Sequence, residues 1–378
     1  MLMHAYLDWN ATGELRPEAR AAVTAVLDMT GNPSSVHGAG RAARRLVEDA
    51  REKVAALVGA EPRDVVFTSG GTEANMLALS PVLGDTLLVS AIEHPSVRSG
   101  GRFAAAEEIP VTAVGVVDLA ALERLLAGRS RPLVSLMLAN NETGVIQPVA
   151  AAAAIVHACG GLLHVDAVQG PGRIPCDFQA LGADLMTLSS HKIGGPQGVG
   201  ALIKRDGVAL DALIKGGGQE RGARAGTENV AGVAGFGAAA EAVRQNWPGE
   251  AARMAALRDA LEAGITATAA QAVIFGVEAA RLPNTTLFSV PGMKAETAVI
   301  AFDLEGVAVS SGSACSSGKG APSHVLAAMG VDSALGRGAI RVSLGYATSD
   351  RDVATILKAW EKLSESLYKA GNQQEIAA

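Results

Sequence analysis

Aromatic residues are scarce in this chain, at 3% of 378 residues, and cysteine is scarcer still, with three in all. Three scattered thiols (Cys159, Cys176, Cys315) are too few for a disulfide framework or a cysteine-rich zinc site, so a reducing compartment, the cytoplasm, is expected. Basic charge is not in excess either. Lys and Arg number 32 against 38 Asp and Glu, a net charge of −6, and no basic block stands out. That leaves no electrostatic footprint for nucleic acid and no polybasic contact for a membrane surface. The longest stretch without a charged side chain, from Thr143 to Val165, holds Gln147, Pro148, two histidines and a Gly-Gly pair, and reads as loop, helix and strand rather than a span. Met1 to Thr12 lacks the pattern of a signal peptide. No Gly-x-Gly-x-x-Gly follows a strand, and Gly312 to Gly320 has neither the spacing nor the Ser/Thr of a P-loop. Dinucleotides and nucleoside triphosphates are thereby disfavoured.

Apolar material is plentiful, at 49%, and a chain this long is expected to fold as more than one unit. Short apolar runs alternate with helical patterns. Val65–Thr68, Thr86–Ser90, Leu133–Leu138, Leu162–Val165 and Leu185–Leu188 read as strands, while 72–79, 149–158 and 229–245 read as helices. The alternation predicts an α/β fold with a mainly parallel sheet covered on both faces. Asn246-Trp247-Pro248-Gly249 marks a junction. Beyond it, Asn284–Val290 and Val307–Ser310 read as strands. Val353, Ile356, Leu357, Trp360, Leu363 and Leu367 mark one face of a last helix, opened by the capping pattern Ser349-Asp350-Arg351-Asp352. Residues 14–248 are expected to form a large domain, with 1–13 and 249–378 forming a smaller α+β domain.

Polar residues gather at the carboxyl ends of the predicted strands, where open parallel sheets hold their ligands. Ser69-Gly70-Gly71-Thr72 joins a strand to a helix, and a helix start offers free N–H groups to an anion. By itself this is more simply an ordinary turn. Asp166 ends an apolar strand, where a carboxylate needs a cationic neighbour or serves as a helix cap. Lys192, in Ser189-Ser190-His191-Lys192, is placed to form a Schiff base, although most loop lysines are merely solvated. Together, a phosphate cradle, an acid for a ring nitrogen and a Schiff-base lysine are the requirements of pyridoxal phosphate. Cys315 lies among small residues, Ser310 to Gly318, in the setting of an exposed nucleophilic thiol, whereas Cys159 and Cys176 read as structural. His94 follows a strand in a place suited to stacking and proton transfer. Arg341, a charge in an apolar strand, wants an anion: either a substrate carboxylate or a structural acid. No metal site is expected.

In order along the chain stand Tyr6-Leu7-Asp8-Trp9-Asn10-Ala11-Thr12, Thr68 to Glu73, Asn140-Asn141-Glu142-Thr143-Gly144, His164 to Gln169, Ser190-His191-Lys192, Arg224-Ala225-Gly226-Thr227 and Ser311-Gly312-Ser313-Ala314-Cys315. Through these motifs the chain, from about Tyr6 to Thr348, closely resembles the cysteine desulfurases of the NifS and IscS type (group I), within the class V aminotransferase-like enzymes. The resemblance implies the aspartate aminotransferase-like fold (fold type I) and pyridoxal 5'-phosphate as cofactor. It implies Lys192 as the Schiff-base lysine, His94 stacked on the pyridine ring, Asp166 at the ring nitrogen and Gln169 at the phenolic oxygen. Gly71, Thr72, Ser189 and His191 would hold the phosphate, with Thr227 reaching over from a second subunit of a homodimer. Asn141 and Arg341 would bind the carboxylate of L-cysteine. Cys315 would take the sulfur as a persulfide, release L-alanine and pass the sulfur to an acceptor protein such as an iron–sulfur scaffold. After Ala11-Thr12 this chain has Gly13-Glu14 where the family has Thr-Pro. A selenocysteine lyase or another class V aminotransferase is the alternative enzyme, and a catalytically silent protein of the same fold is the non-enzymatic one.

Overall fold

The computed structural model describes residues 5–312 and 323–376, with side chains to Glu365. A short strand β1 (Ala5–Tyr6) opens the chain. A seven-stranded sheet follows, built from β2 (Val65–Thr68), β3 (Thr86–Ser90), β4 (Glu107–Ile109), β5 (Pro132–Met137), β6 (Leu162–Asp166), β7 (Leu185–Ser189) and β8 (Gly200–Lys204). Its order is β2-β8-β7-β6-β5-β3-β4. The run from β7 to β4 is parallel, and β8 is antiparallel to both its neighbours. β2, β5 and β7 are buried throughout as near-continuous apolar runs, because helices cover both faces, while the edge strand β4 exposes Glu107 and Glu108. Side chains alternate between those faces: Phe67 and Leu88 pack with Val54, Val156 and Phe236 on one side, while Val66, Leu87 and Val89 pack with Leu77 and Ala78 on the other. The expected strands and the helices at 72–79 and 149–158 are present to within a residue.

The third expected helix does not stop at the predicted junction. It runs unbroken from Val230 to Thr268 with Pro248 inside it. Proline removes one helical hydrogen bond, but Arg244 to Asn246 face solvent, where water can replace it. Helix formers on either side, packed on the helices Pro17–Leu27 and Gly38–Leu57 before the proline and on the last helix after it, carry the helix through.

The rest of the chain forms β9 (Val273–Ile274), β10 (Thr285–Ser289), β11 (Val307–Ala308), β12 (Ser310–Ser311) and β13 (Ile340–Ser343). The single strand expected at 307–310 is therefore two. β11 pairs with β1 in parallel, and β12 joins an antiparallel sheet of order β12-β13-β10-β9, so the chain changes sheets at Val309. The final helix, Asp350–Ile376, opens with Ser349 N–H and Oγ both donating to the Asp352 carboxylate at 2.8 and 2.7 Å. Val353, Ile356, Trp360 and Leu363 are buried as predicted, in a cluster with Leu7, Leu261, Phe288 and Phe302, and Leu357 packs against its edge. Leu367 lies beyond the described side chains.

Candidate active site

The carboxyl ends of β2, β3, β5, β6 and β7 open into one cavity of about 230 Å³. Its wall includes Gly71, Thr72, His94, Asn141, Asp166, Gln169, Ser189, His191 and Lys192. Sheet register explains the convergence: Asp166 sits opposite Met137 on one side and Thr187 on the other, so the polar strand ends are level.

At one end of the cavity, Gly71 and Thr72 begin the helix Gly71–Ala78. No side chain caps this helix start, so its amides are available to an anion. Gly71 lies against the floor, where an added Cβ would stand 3.2 Å from Val168 Cγ2. Elsewhere on the wall the Asp166 carboxylate is buried, with Oδ2 accepting from Asn75 Nδ2 at 2.9 Å and Oδ1 from the Val168 amide at 3.1 Å. Its two oxygens already accept hydrogen bonds, and a carboxyl so placed is suited to a ring nitrogen that carries a proton.

His94 also lines the cavity. Its Nδ1 accepts the Ser96 amide at 3.2 Å and lies 2.8 Å from Ser96 Oγ, which leaves Nε2 to carry the ring proton. Burial lowers its pKa, Lys192 lowers it further and Asp166 opposes both, so the imidazole is neutral near pH 7. Lys192 sits in a tight turn after β7, ended by Gly194 at φ +80°. Its Nζ donates to the carbonyls of Asn10 and Ala11 at 2.6 and 2.7 Å. His191 Nδ1 lies 3.1 Å from Thr12 Oγ1, and burial together with Lys192 pushes its pKa down to about 4.

The N-terminal segment is thus a wall of the site. It is held by Ser343 N–H on the Leu7 carbonyl at 2.8 Å, and by the Gly13 and Arg16 amides on the carbonyls of His191 and Gly194, both at 2.8 Å. The Arg16 guanidinium is bonded to Glu250 and to the Ile193 carbonyl, and it covers the Tyr346 ring. Gln169 Nε2 donates to the Asn10 carbonyl at 3.0 Å, and its Oε1 accepts from Arg173.

Two expected site residues stand outside this cavity. Arg341 is 1% exposed; it donates to the Asn141 carbonyl at 3.1 Å and to Asp8 at 2.7 Å. Thr227 is exposed. Cys315 lies outside the described residues. Of the other cysteines, Cys176 is buried, and burial raises its thiol well above the usual range. Cys159 is not the packed structural residue expected: it ends the helix Val149–Ala158 and is exposed, because it falls past the helix's buried face of Val149, Ala152, Ala153 and Val156.

Several site residues were not singled out from the sequence. Asn10, Asn75, Ser96 and Met137 all line the cavity. Asn75 carried a signal, being the one amide on a helix face otherwise made of Ala74, Leu77 and Ala78. Glu93 and Glu142 are buried beside the site at 0% and 3% exposure. Burial and the nearby Asp166 push the Glu93 carboxyl well up, and burial lifts Glu142 to about 7. Among the described residues no cluster of His, Cys, Asp and Glu could hold a metal, and no helix is long and apolar enough to cross a membrane.

The Aminotransferase class-V family model matches residues 5–356. A cysteine desulfurase of Cereibacter sphaeroides is 41% identical over 375 residues, with 96% of each chain covered. The cysteine desulfurase IscS of Dictyoglomus turgidum is 40% identical, covering 97% of this chain and 96% of its own. Among solved structures, a NifS-like protein from Rickettsia africae matches with a TM-score of 0.89 at 38% identity, over 97% of this chain and 99% of that one. SspA, solved in complex with cysteine, matches with a TM-score of 0.77 at 26% identity, over 91% of this chain and 99% of that one. With the strand-end cavity and this agreement along nearly the whole length, the chain belongs to the class V aminotransferase family, among its cysteine desulfurases.

Proposed function

We propose that the cavity holds pyridoxal 5'-phosphate and that the chain removes sulfur from L-cysteine, giving L-alanine and a persulfide on Cys315. The observation that supports this best is the meeting of an uncapped helix start, a buried carboxylate, a neutral imidazole and a lysine amine around one cavity. The donor set fits the cofactor from end to end. Gly71, Thr72, Ser189 and His191 would hold the phosphate, Asp166 the ring nitrogen and Gln169 the phenolic oxygen; Lys192 would supply the Schiff-base amine, and His94 and Asn141 would lie against the ring. When bound, pyridoxal phosphate supplies an electron sink for a carbanion at Cα of an amino acid.

The residues of the chain do the remaining work. Arg341 and Asn141 orient the substrate carboxylate. Lys192 and His94 move protons, a role that a neutral imidazole with its proton on Nε2 suits near pH 7. The Cys315 thiolate attacks the substrate sulfur: an S–S bond forms, the C–S bond breaks with its electron pair left on carbon, and a proton fills that position to give L-alanine. Residues 14–248 serve as the cofactor-binding domain, and 1–13 with 249–378 as the smaller one. In a homodimer, the exposed Thr227 completes the phosphate site of a second copy. An acceptor protein in the cytoplasm, of the iron–sulfur scaffold kind, takes the sulfur onward.

The test is release of alanine and sulfide by the purified holoenzyme given L-cysteine and a thiol reductant. Equal amounts of both are expected, with Cys315→Ser releasing neither. Sulfide at the wild-type rate from Cys315→Ser would remove Cys315 as nucleophile. Neither product, from protein that carries the bound chromophore, would overturn the reaction while leaving the fold in place.

A further inference from the structure

Arg341 is held on two sides in unequal ways. Nη1 donates to the Asn141 carbonyl at 3.1 Å. The opposite edge of the guanidinium, Nε with Nη2, is the edge that takes a carboxylate in two parallel bonds. There Nη2 donates to Asp8 Oδ1 at 2.7 Å. Among the described residues Nε is buried with no partner at all. Asp8 therefore makes one bond on an edge built for two.

An orphaned buried donor is costly, and a ligand that satisfies Nε and Nη2 together outcompetes one that satisfies Nη2 alone. Arg341 does not need Asp8 to keep its place. Its strand β13 is paired on both sides, by β10 and by β12, and the Asn141 carbonyl fixes Nη1. Asp8, for its part, has a pinned backbone and a freer side chain. The Leu7 carbonyl accepts from Ser343, the Trp9 amide donates back to Ser343, and the Asp8 carbonyl accepts from Ala11. Its side chain is 22% exposed against 2% for Arg341, so it can turn outward into water. Glu142 lies near enough for the Arg341 charge to lower its carboxyl, against the larger upward push of burial, but it makes no hydrogen bond to the guanidinium.

We propose that Asp8 is a resident competitor for Arg341: it occupies singly the guanidinium edge that the substrate α-carboxylate takes in two bonds, and so sets substrate affinity and the preference for amino acids with a free carboxylate. This rests on the reading of Arg341 as the carboxylate site, and the experiment separates the two.

Holoenzymes carrying Asp8→Asn, Asp8→Ser and Arg341→Ala are compared with wild type for KM and kcat with L-cysteine. Binding of cysteamine, which has the amine and thiol but no carboxylate, is followed by the cofactor's absorbance. Asparagine keeps an acceptor for Nη2 and loses the charge, so Asp8→Asn should lower KM by roughly three- to tenfold. Its kcat should stay within about twofold and cysteamine binding should not change; Asp8→Ser should move KM the same way. A raised or unchanged KM in both Asp8 variants, with Arg341→Ala still raising KM for L-cysteine, would overturn the competitor and keep the carboxylate site. Equal tightening of cysteamine and L-cysteine would overturn it as well, since the gain would not involve the carboxylate. An unmoved KM in Arg341→Ala would overturn both readings.

Discussion

Replacing Glu142 with glutamine tests how the buried charge beside the site is balanced. The carboxyl is 3% exposed and accepts the Ser323 hydroxyl at 2.5 Å. Burial pushes it from an ordinary 4.5 up to about 7, against the opposing pull of Ser323 and of the Arg341 charge. Between those two pH values the folded chain keeps a proton that the unfolded chain has released. Stability from this group therefore falls as pH rises through the window, and the loss is complete above about 7, where a buried carboxylate has to be carried. At about 1.4 kcal/mol per pH interval, the full loss is about 3 kcal/mol. Glutamine has the same shape, offers Ser323 an amide oxygen and does not titrate. Glu142→Gln and wild type should be close in stability at pH 5, with the variant ahead by up to about 3 kcal/mol at pH 8. The assay is urea unfolding of both proteins at fixed pH values from 5 to 8, comparing midpoints at a common slope. A difference independent of pH would refute the reasoning, because packing changes do not titrate.

Other substitutions probe the framework and the chemistry. Arg51→Ala strands the buried Glu220, which accepts from Arg51 at 2.8 and 2.9 Å and from the Phe67 amide at 2.9 Å; a loss of about 3–5 kcal/mol is expected in denaturant unfolding. Gly345→Ala would place a Cβ 1.9 Å from Trp9 Cδ2. It should weaken cofactor retention as well as the fold, since Trp9 lies in the segment whose carbonyls hold Lys192; dialysis against buffer followed by absorbance measures the retention. His94→Gln should slow alanine formation by roughly a hundredfold or more if the imidazole moves a proton, and single-turnover kinetics would show a smaller effect if it only stacks. Lys192→Ala should abolish the absorbance of the covalently held cofactor, and a retained, cysteine-responsive chromophore would refute the assignment of Lys192.

Much of this site was legible because its parts are local. A strand that ends in Ser69-Gly70-Gly71, another that ends in Asp166 and a third that ends in Ser189 to Lys192 each announce a polar strand end, and parallel topology brings such ends together. The periodicity of Val353, Ile356, Trp360 and Leu363 likewise marked a buried face with no tertiary information needed. Asn246 to Gly249 misled only as a helix end, because Pro and Gly are local stop signals, while the packing of Val233, Phe236 and Ala240 before them and of Met254, Leu257 and Leu261 after them is not local. Cys159 misled because its spacing from Ala152 and Val156 continues the buried stripe, while the helix ends at Ala158 and leaves it exposed at the cap.

The amino-acid order alone thus determined the family, the alternating α/β plan and most of the cavity wall, since those depend on residue type and short-range spacing. Only the tertiary structure decided that Asp8 meets Arg341 across 333 positions, and that the carbonyls of Asn10 and Ala11 receive Lys192. It also decided that Glu142 is dry enough to titrate near neutrality. Charge pairing and desolvation depend on what packs alongside a group, and no periodicity along the chain encodes that.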